Sequence, residues 1–224
     1  MLRFLLYIST IKMYSNQTII QIGSHVGPSK NDPIFSLVDD TTKLILVEPI
    51  PFLFRQLKEN YTVNFPNNKN ITFINKAASD HVGELEITTP TENNDFANLP
   101  FYASQLASVD NEHATRHIPE LMVETIRVPT TTIDEIVKDH DIGKIDLLHT
   151  DTEGHDYDII MNYSFQVKPT NILFEHKHMD GFFHFGERFE KLSRHLNSMG
   201  YVQKYQTGED TMMELVDPPN SGLP

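Results

Sequence analysis

The chain has no cysteine, which excludes disulfides and thiolate metal sites, and nothing in it points to an oxidising compartment. It also lacks any cluster of Lys and Arg. With 18 basic against 31 acidic side chains the formal net charge is −13, a balance that repels phosphate backbones, so nucleic acid is not an expected partner. Long apolar runs are missing too. Phe4-Leu5-Leu6-Tyr7-Ile8 is too short to span a bilayer and short for a signal-peptide core, with no small-residue cleavage site after it. Two readings of Met1–Met13 stand: an N-terminal helix or strand packing on the domain, or a dispensable stretch ahead of a start at Met13. Under either, the expectation is a cytoplasmic protein without a membrane partner. There is no internal repeat, no G-x-G-x-x-G and no HExxH.

What is present suits one large domain: 224 residues, 39% of them hydrophobic, are enough to bury a core. Strand-like and helix-like segments alternate, which predicts an α/β fold with a mostly parallel sheet and helices on both faces. Core strands are expected at Thr18–Ile22, Lys43–Glu48, Ile71–Ile74, Ile145–His149 and Asn171–Glu175. An alternating pair at Glu84–Thr88 and Thr125–Val128 reads as antiparallel, and two short strands near Tyr201–Tyr205 and Thr211–Leu215 close the chain. Pro28, with Ile34, Leu37 and Val38, marks a first helix. Leu53, Leu57 and Tyr61 mark the next. Thr132 and Glu135 match a capping box, and Phe189, Leu192, Leu196 and Met199 form a helical stripe ended by Gly200. Residues 91–120 are polar and aperiodic, long for a plain loop and suited to a lid. The division is therefore 1–16 as an extension, 17–216 as the domain with a cap or substrate loop at 91–122, and 217–224 as a frayed tail.

Ligands in such sheets bind beyond the carboxyl ends of strands. The first strand runs into Gly23-Ser24-His25-Val26-Gly27, which is either a tight strand–helix turn or a place where backbone approaches a ligand. Its G-x-x-x-G spacing suits a ligand carrying an amino acid rather than a pyrophosphate. Glu48, about twenty-five residues on, ends an apolar strand and can accept hydrogen bonds from ribose hydroxyls, unless it is merely a solvated strand end. Ala77-Ala78-Ser79-Asp80 leaves room for a flat adenine; Asp80 would meet its amino group or start a turn. Ile145–His149 delivers Asp151 and Glu153 to the rim, two apart on an extended segment and so pointing the same way. They are candidates for holding an ammonium group or taking a proton from a hydroxyl, while Asp151 or Thr152 could instead cap the following helix. His176 is a candidate base or a structural histidine. Asp151, Glu153, Glu175, His176 and His178 would be the donors to a metal, but they follow no fixed metal-binding pattern and no metal is expected.

Together these blocks resemble the FkbM family of S-adenosylmethionine-dependent methyltransferases. The carriers are residues 19–27, Leu46-Val47-Glu48-Pro49, Ala77–Asp80, Val128–Glu135 and, most specific, Ile145–Gly154; the likeness spans roughly Thr18 to Leu215. It implies a seven-stranded Rossmann-like class I sheet and methyl transfer mainly to hydroxyl oxygens of sugars or other small metabolites. The cofactor-binding set then comprises Gly23, Ser24, His25, Gly27, Glu48, Pro49, Ala78, Ser79, Asp80, Gln105, Ser108 and Asp151. The catalytic candidates are Asp151, Glu153 and His176. Two positions depart from the family: Gln21 replaces the usual acid at the end of the first strand, and His149 stands where lysine is common. A cofactor-binding domain without catalysis and a nucleotide-dependent oxidoreductase are the rival readings.

Overall fold

The computed structural model describes residues 16–27, 32 and 34–216. The Phe4–Ile8 run, Pro28 and the tail from Asp217 lie outside them.

Among the described residues ten strands and five α-helices follow one another: β1 (Thr18–Ile22), β2 (Lys43–Val47), α1 (Pro51–Asn64), β3 (Ile71–Ile74), β4 (Ala77–Ala78), β5 (Glu84–Pro90), α2 (His113–His117), β6 (Val123–Thr131), α3 (Ile133–Asp139), β7 (Leu147–Thr150), α4 (Asp156–Met161), β8 (Asn171–Glu175), α5 (Glu187–Ser198), β9 (Tyr201–Gln206) and β10 (Asp210–Leu215). Seven strands form one sheet in the order β3-β2-β1-β7-β8-β10-β9, parallel from β3 to β8, with β10 antiparallel to both its neighbours. This is the seven-stranded, mostly parallel sheet that the family resemblance implies. Strand β4 and the β5–β6 hairpin form a separate small sheet.

The core strands are apolar on both faces because both faces are covered. Ile20, Ile22, Leu148, Ile172 and Phe174 pack with Ile133, Ile136, Ile159, Ile160, Leu192 and Leu196 of α3, α4 and α5. Their alternate neighbours Ile19, Leu44, Leu46, Leu147 and Leu173 pack with Leu57 and Tyr61 of α1 and with Ile34 and Leu37. Proline stands in the first turn of α1, and the capping bond from Glu135 N to Thr132 Oγ1 (3.1 Å) starts α3 as read from sequence. Gly200, at φ +98°, stops the chain from continuing α5.

One expectation is corrected, and two open readings are decided. The helix predicted around Ile34, Leu37 and Val38 is, among the described residues, one 3₁₀ turn, Phe35–Leu37. Residues three apart share a face in a 3₁₀ turn as well as in an α-helix, so Ile34 and Leu37 are buried without it. Neither Asp151 nor Thr152 caps α4, which begins later. The Asp156 carboxylate instead accepts hydrogen bonds from the N–H (3.2 Å) and hydroxyl (2.7 Å) of Thr152, closing that turn from inside. Finally, the aperiodic 91–120 stretch holds a 3₁₀ turn at Ala103–Gln105 and helix α2, and Ala103, Leu106, Ala114 and Ile118 form a small core with Leu121 just beyond it. Its buried residues come from turns as much as from the helix, so no period shows.

The carboxyl ends of β1 and β7 converge at Gly23. A Cβ there would lie 1.8 Å from the carbonyl oxygen of Asp151, and φ is +77°. Gly23→Ala is expected to lower stability by more than about 2 kcal/mol, combining left-handed strain with a clash against backbone. Thr132→Ala, which removes only the cap of α3, is expected to cost about 1 kcal/mol. Urea denaturation of both variants checks the ranking; equal losses would contradict it.

Candidate active site

Strand order reverses at β1, with β2 and β3 to one side and β7 and β8 to the other, so a crevice opens where β1 and β7 end. The turn after β1 forms its floor. Gly23 N and Ser24 N both donate to Val47 O (3.0 and 3.1 Å), while Ser24 Oγ donates to Gln21 O and accepts from Val47 N. Ser24 thereby pins the β1 turn to the end of β2. Gly27, at φ +79°, passes so close to the Tyr61 ring that a Cβ would meet it at 2.5 Å. Above this turn lies a cavity with ≈1020 Å³ of unfilled space, its open mouth included.

Gly23, Ser24, His25, Gly27, Glu48, Pro49, Ala78, Gln105, Ser108, Asp151 and Glu153 all line that one cavity. Glu48 is 4% exposed; its two carboxylate oxygens accept from Ile50 N and His25 N, each at 2.8 Å. Gln105 and Ser108 arrive from the 91–122 segment. Main-chain bonds in both directions between Ser108 and Thr88 hold that segment on β5, and Ser108 Oγ donates to Glu153 O (2.9 Å).

Ser79, Asp80 and His176 do not line the cavity. Strand β4 ends at Ala78, and the next turn carries Asp80 outward to a hydrogen bond with His81 Nδ1 (2.6 Å); that bond holds its carboxyl below the usual range. Ser79 is buried beside it, its hydroxyl between Asp80 and His155 Nε2. His176 follows Glu175 and so turns to the opposite side, where its ring stacks on Phe185 (4.6 Å) and its Nδ1 meets Thr211 Oγ1 (3.0 Å). Burial lowers its pKa. It is therefore unsuited as a base for anything bound in the cavity. Phe182, Phe183 and Phe185 are about half exposed and fill neither a core nor this cavity.

The site is acidic. Burial raises Glu48 to about 7, against the hydrogen bonds from Ile50 and His25. Asp151 projects into the open cavity, yet protein walls enclose it; that enclosure, with the charge of Glu153, raises its carboxyl well above the usual range. Glu153 goes the other way. Burial would raise it, but hydrogen bonds from His113 and His178 hold it near 2. Burial keeps His25 and His149 neutral, with pKa values lowered to about 4.

Several lining groups escaped the sequence reading. Gln21 Nε2 donates to the carboxylate of Asp32 (3.2 Å), so an acid from the following connection stands where the first strand lacks one. Burial raises Asp32 to about 6. Gln21 Oε1, Asp32 Oδ2 and His149 Nδ1 are buried in the cavity wall without a hydrogen-bond partner among the described residues. Leu85 and Ile87 of β5 and His155 also line the space. No spacing in the sequence ties these residues to the first-strand motif; only the D-after-turn position of Asp32 hints at it.

The methyltransferase FkbM domain profile matches residues 21–202. A sequence search of curated proteins finds no match. Among solved structures, the chain is similar to methyltransferase FkbM from Methylobacillus flagellatus KT, at 13% identity and a TM-score of 0.52, over 92% of this chain and 45% of that one. It thus spans less than half the length of that protein. It is also similar to a candidate caffeoyl-CoA O-methyltransferase from Staphylococcus aureus, at 12% identity and a TM-score of 0.52, over 96% of this chain and 84% of the other. At these identities the two structures establish likeness of fold. The family match is what extends over most of the sequence and holds the Gly23, Glu48 and Asp151 blocks in order: the chain belongs to the FkbM methyltransferase domain family.

Proposed function

We propose that this chain transfers a methyl group from S-adenosylmethionine to a hydroxyl oxygen of a small acceptor, a sugar or similar metabolite. The observation that carries this is the single cavity shared by the glycine turn, Glu48 and Asp151. The lining suits the cofactor. Glu48 presents carboxylate oxygens for a ribose diol, and Ala77 and Ala78 with Leu85 and Ile87 offer a flat apolar slot for adenine. Gln21 Oε1 and Asp32 Oδ2, buried and unpartnered among the described residues, are acceptors for an ammonium group. Among those residues no Lys or Arg lines the cavity, while Asp32, Glu48, Asp151 and Glu153 do. A cationic ligand is favoured there and a dinucleotide's phosphates are not, which tells against the oxidoreductase reading.

When bound, S-adenosylmethionine supplies an electrophilic methyl group. The protein's share is alignment and proton removal. Asp151 stands at the rim, exposed to the cavity, and would accept the proton of the acceptor hydroxyl as its oxygen attacks. With His176 outside the cavity and Glu153 engaged by two histidines, Asp151 is the base of choice.

Asp151→Asn is expected to lower turnover at saturating cofactor by about 100-fold or more, with the dissociation constant for S-adenosylhomocysteine changed only a few-fold. Undiminished turnover would reject Asp151 as the base. Glu48→Ala is expected to weaken S-adenosylmethionine binding by roughly 10- to 100-fold in calorimetric titration, the worth of charge-assisted hydrogen bonds to the ribose. Binding should also be linked to protons. Free Glu48 titrates near 7, and a diol that binds its carboxylate lowers that pKa. Affinity should therefore rise as pH increases through about 7 and level off above, with proton release at pH 6.5 visible as a buffer-dependent enthalpy. A flat profile, or heat with NAD(H) and none with S-adenosylmethionine, would overturn the reading. The acceptor is then sought by a screen that begins with sugars.

A further inference from the structure

Beside the cofactor cavity, three separate parts of the chain deliver metal-ligating side chains to one point. Helix α2 supplies His113 and His117, four residues apart and so on one helical face. The turn after β7 supplies Glu153, and β8 with its following turn supplies Glu175 and His178. The donor atoms of His113, His117 and His178 lie within 4.8 Å of one another, as do those of Glu153, Glu175 and His178. We propose that His113, Glu153, Glu175 and His178, with His117 beside them, bind a divalent transition-metal ion that ties the 91–122 segment to the rim of the main sheet.

Hydrogen bonding alone leaves this cluster poorly satisfied. His178 Nδ1 lies 2.9 Å from both Glu153 Oε2 and Glu175 Oε1, and His113 Nε2 lies 2.9 Å from the same Glu153 Oε2. One ring nitrogen carries at most one proton, which cannot be given in full to two carboxylates. His178 Nε2 and Glu175 Oε2 have no partner among the described residues. The side chains of His113, His178 and Glu175 are each 6% exposed, so water does little to compensate. The spacing itself suits a metal: bonds of about 2.1 Å at right angles separate donor atoms by roughly 3.0 Å.

Charge points the same way. Glu153 and Glu175 stand close to the further carboxylates Asp151 and Asp156; Lys177, a partly buried cation nearby, offsets them only in part and is also paired with Glu209 at 3.3 Å. A divalent ion would neutralise that concentration of negative charge. Two imidazoles with two carboxylates and no thiolate favour Zn²⁺, Mn²⁺, Fe²⁺ or Co²⁺ over Mg²⁺ or Ca²⁺, which prefer oxygen donors throughout. Of the proposed ligands only Glu153 lines the cofactor cavity, so the ion would sit next to the methyl-transfer site and clamp its cap.

The test takes the whole chain, stripped with a chelator and dialysed, and titrates it calorimetrically with ZnCl₂ and MnCl₂. CoCl₂ is followed in parallel by visible absorption. One ion per chain is expected, with a rise in unfolding temperature and protection of residues 91–122 from limited proteolysis. His178→Ala and Glu175→Gln should each weaken binding at least tenfold; His113→Asn gives the same readout if His178→Ala fails to fold, as judged by its far-ultraviolet circular dichroism. Absence of binding by any of the three ions would overturn the proposal. So would a stoichiometry and affinity unchanged by these substitutions, since the ion would then be held by histidines elsewhere.

Discussion

The carboxyl ends of β1 and β7 are as close as backbone allows, because residue 23 has no side chain to separate it from the carbonyl of Asp151. Asp151 N donates to Ile22 O (3.0 Å) at the same place, and Ser24 ties the turn back to the end of β2. Three strand ends are thus held together by main-chain bonds and one hydroxyl. Three of the site's polar groups are aimed by this junction: Glu48 leaves β2 there, His25 N reaches its carboxylate, and Asp151 leaves β7 beside them. Strands packed on both faces by apolar helices make the junction rigid, so the ligand meets a preformed surface.

Around the junction the interior carries far more negative than positive charge. Burying carboxylates is costly unless they are hydrogen-bonded, paired or protonated, and this site uses each device. Glu48 accepts two backbone N–H bonds, Glu153 takes two histidines, and Asp156 is bonded by Thr152. Asp32 and Asp151 are left with capacity facing the cavity. Groups that a folded protein leaves unsatisfied in a cavity wall are those a ligand can satisfy. An acidic wall favours a cationic ligand.

The 91–122 segment completes the cavity from outside the sheet. Its small core lets it hold a shape of its own, Gln105 and Ser108 reach the cavity, and α2 sets His113 against Glu153. Variation in such a segment can change the lining of the cavity without disturbing the junction beneath, in a fold shared by many chemistries.

Apolar strands and glycine turns are local features, and so they were legible directly. Thr18–Ile22, Ile71–Ile74 and Asn171–Glu175 have the bounds their residues suggest, and the blocks around Gly23, Glu48 and Asp151 meet in one cavity in the order in which they occur. Direction at the ends of strands was not legible. One residue decides which face a side chain takes, so Glu175 joins the Glu153 cluster while His176 turns away to Thr211, and Asp80 leaves the site because β4 stops at Ala78. Contacts between distant segments carry no local signature at all. The Gln21–Asp32 bond, the slot formed by Leu85 and Ile87, and the meeting of His113 with Glu153 and His178 each depend on how separate elements pack. Composition and periodicity determined that this chain folds as a parallel sheet with an acidic rim; tertiary packing alone decided which side chains share that rim, because proximity across the sheet is set by register and crossover, not by distance along the chain.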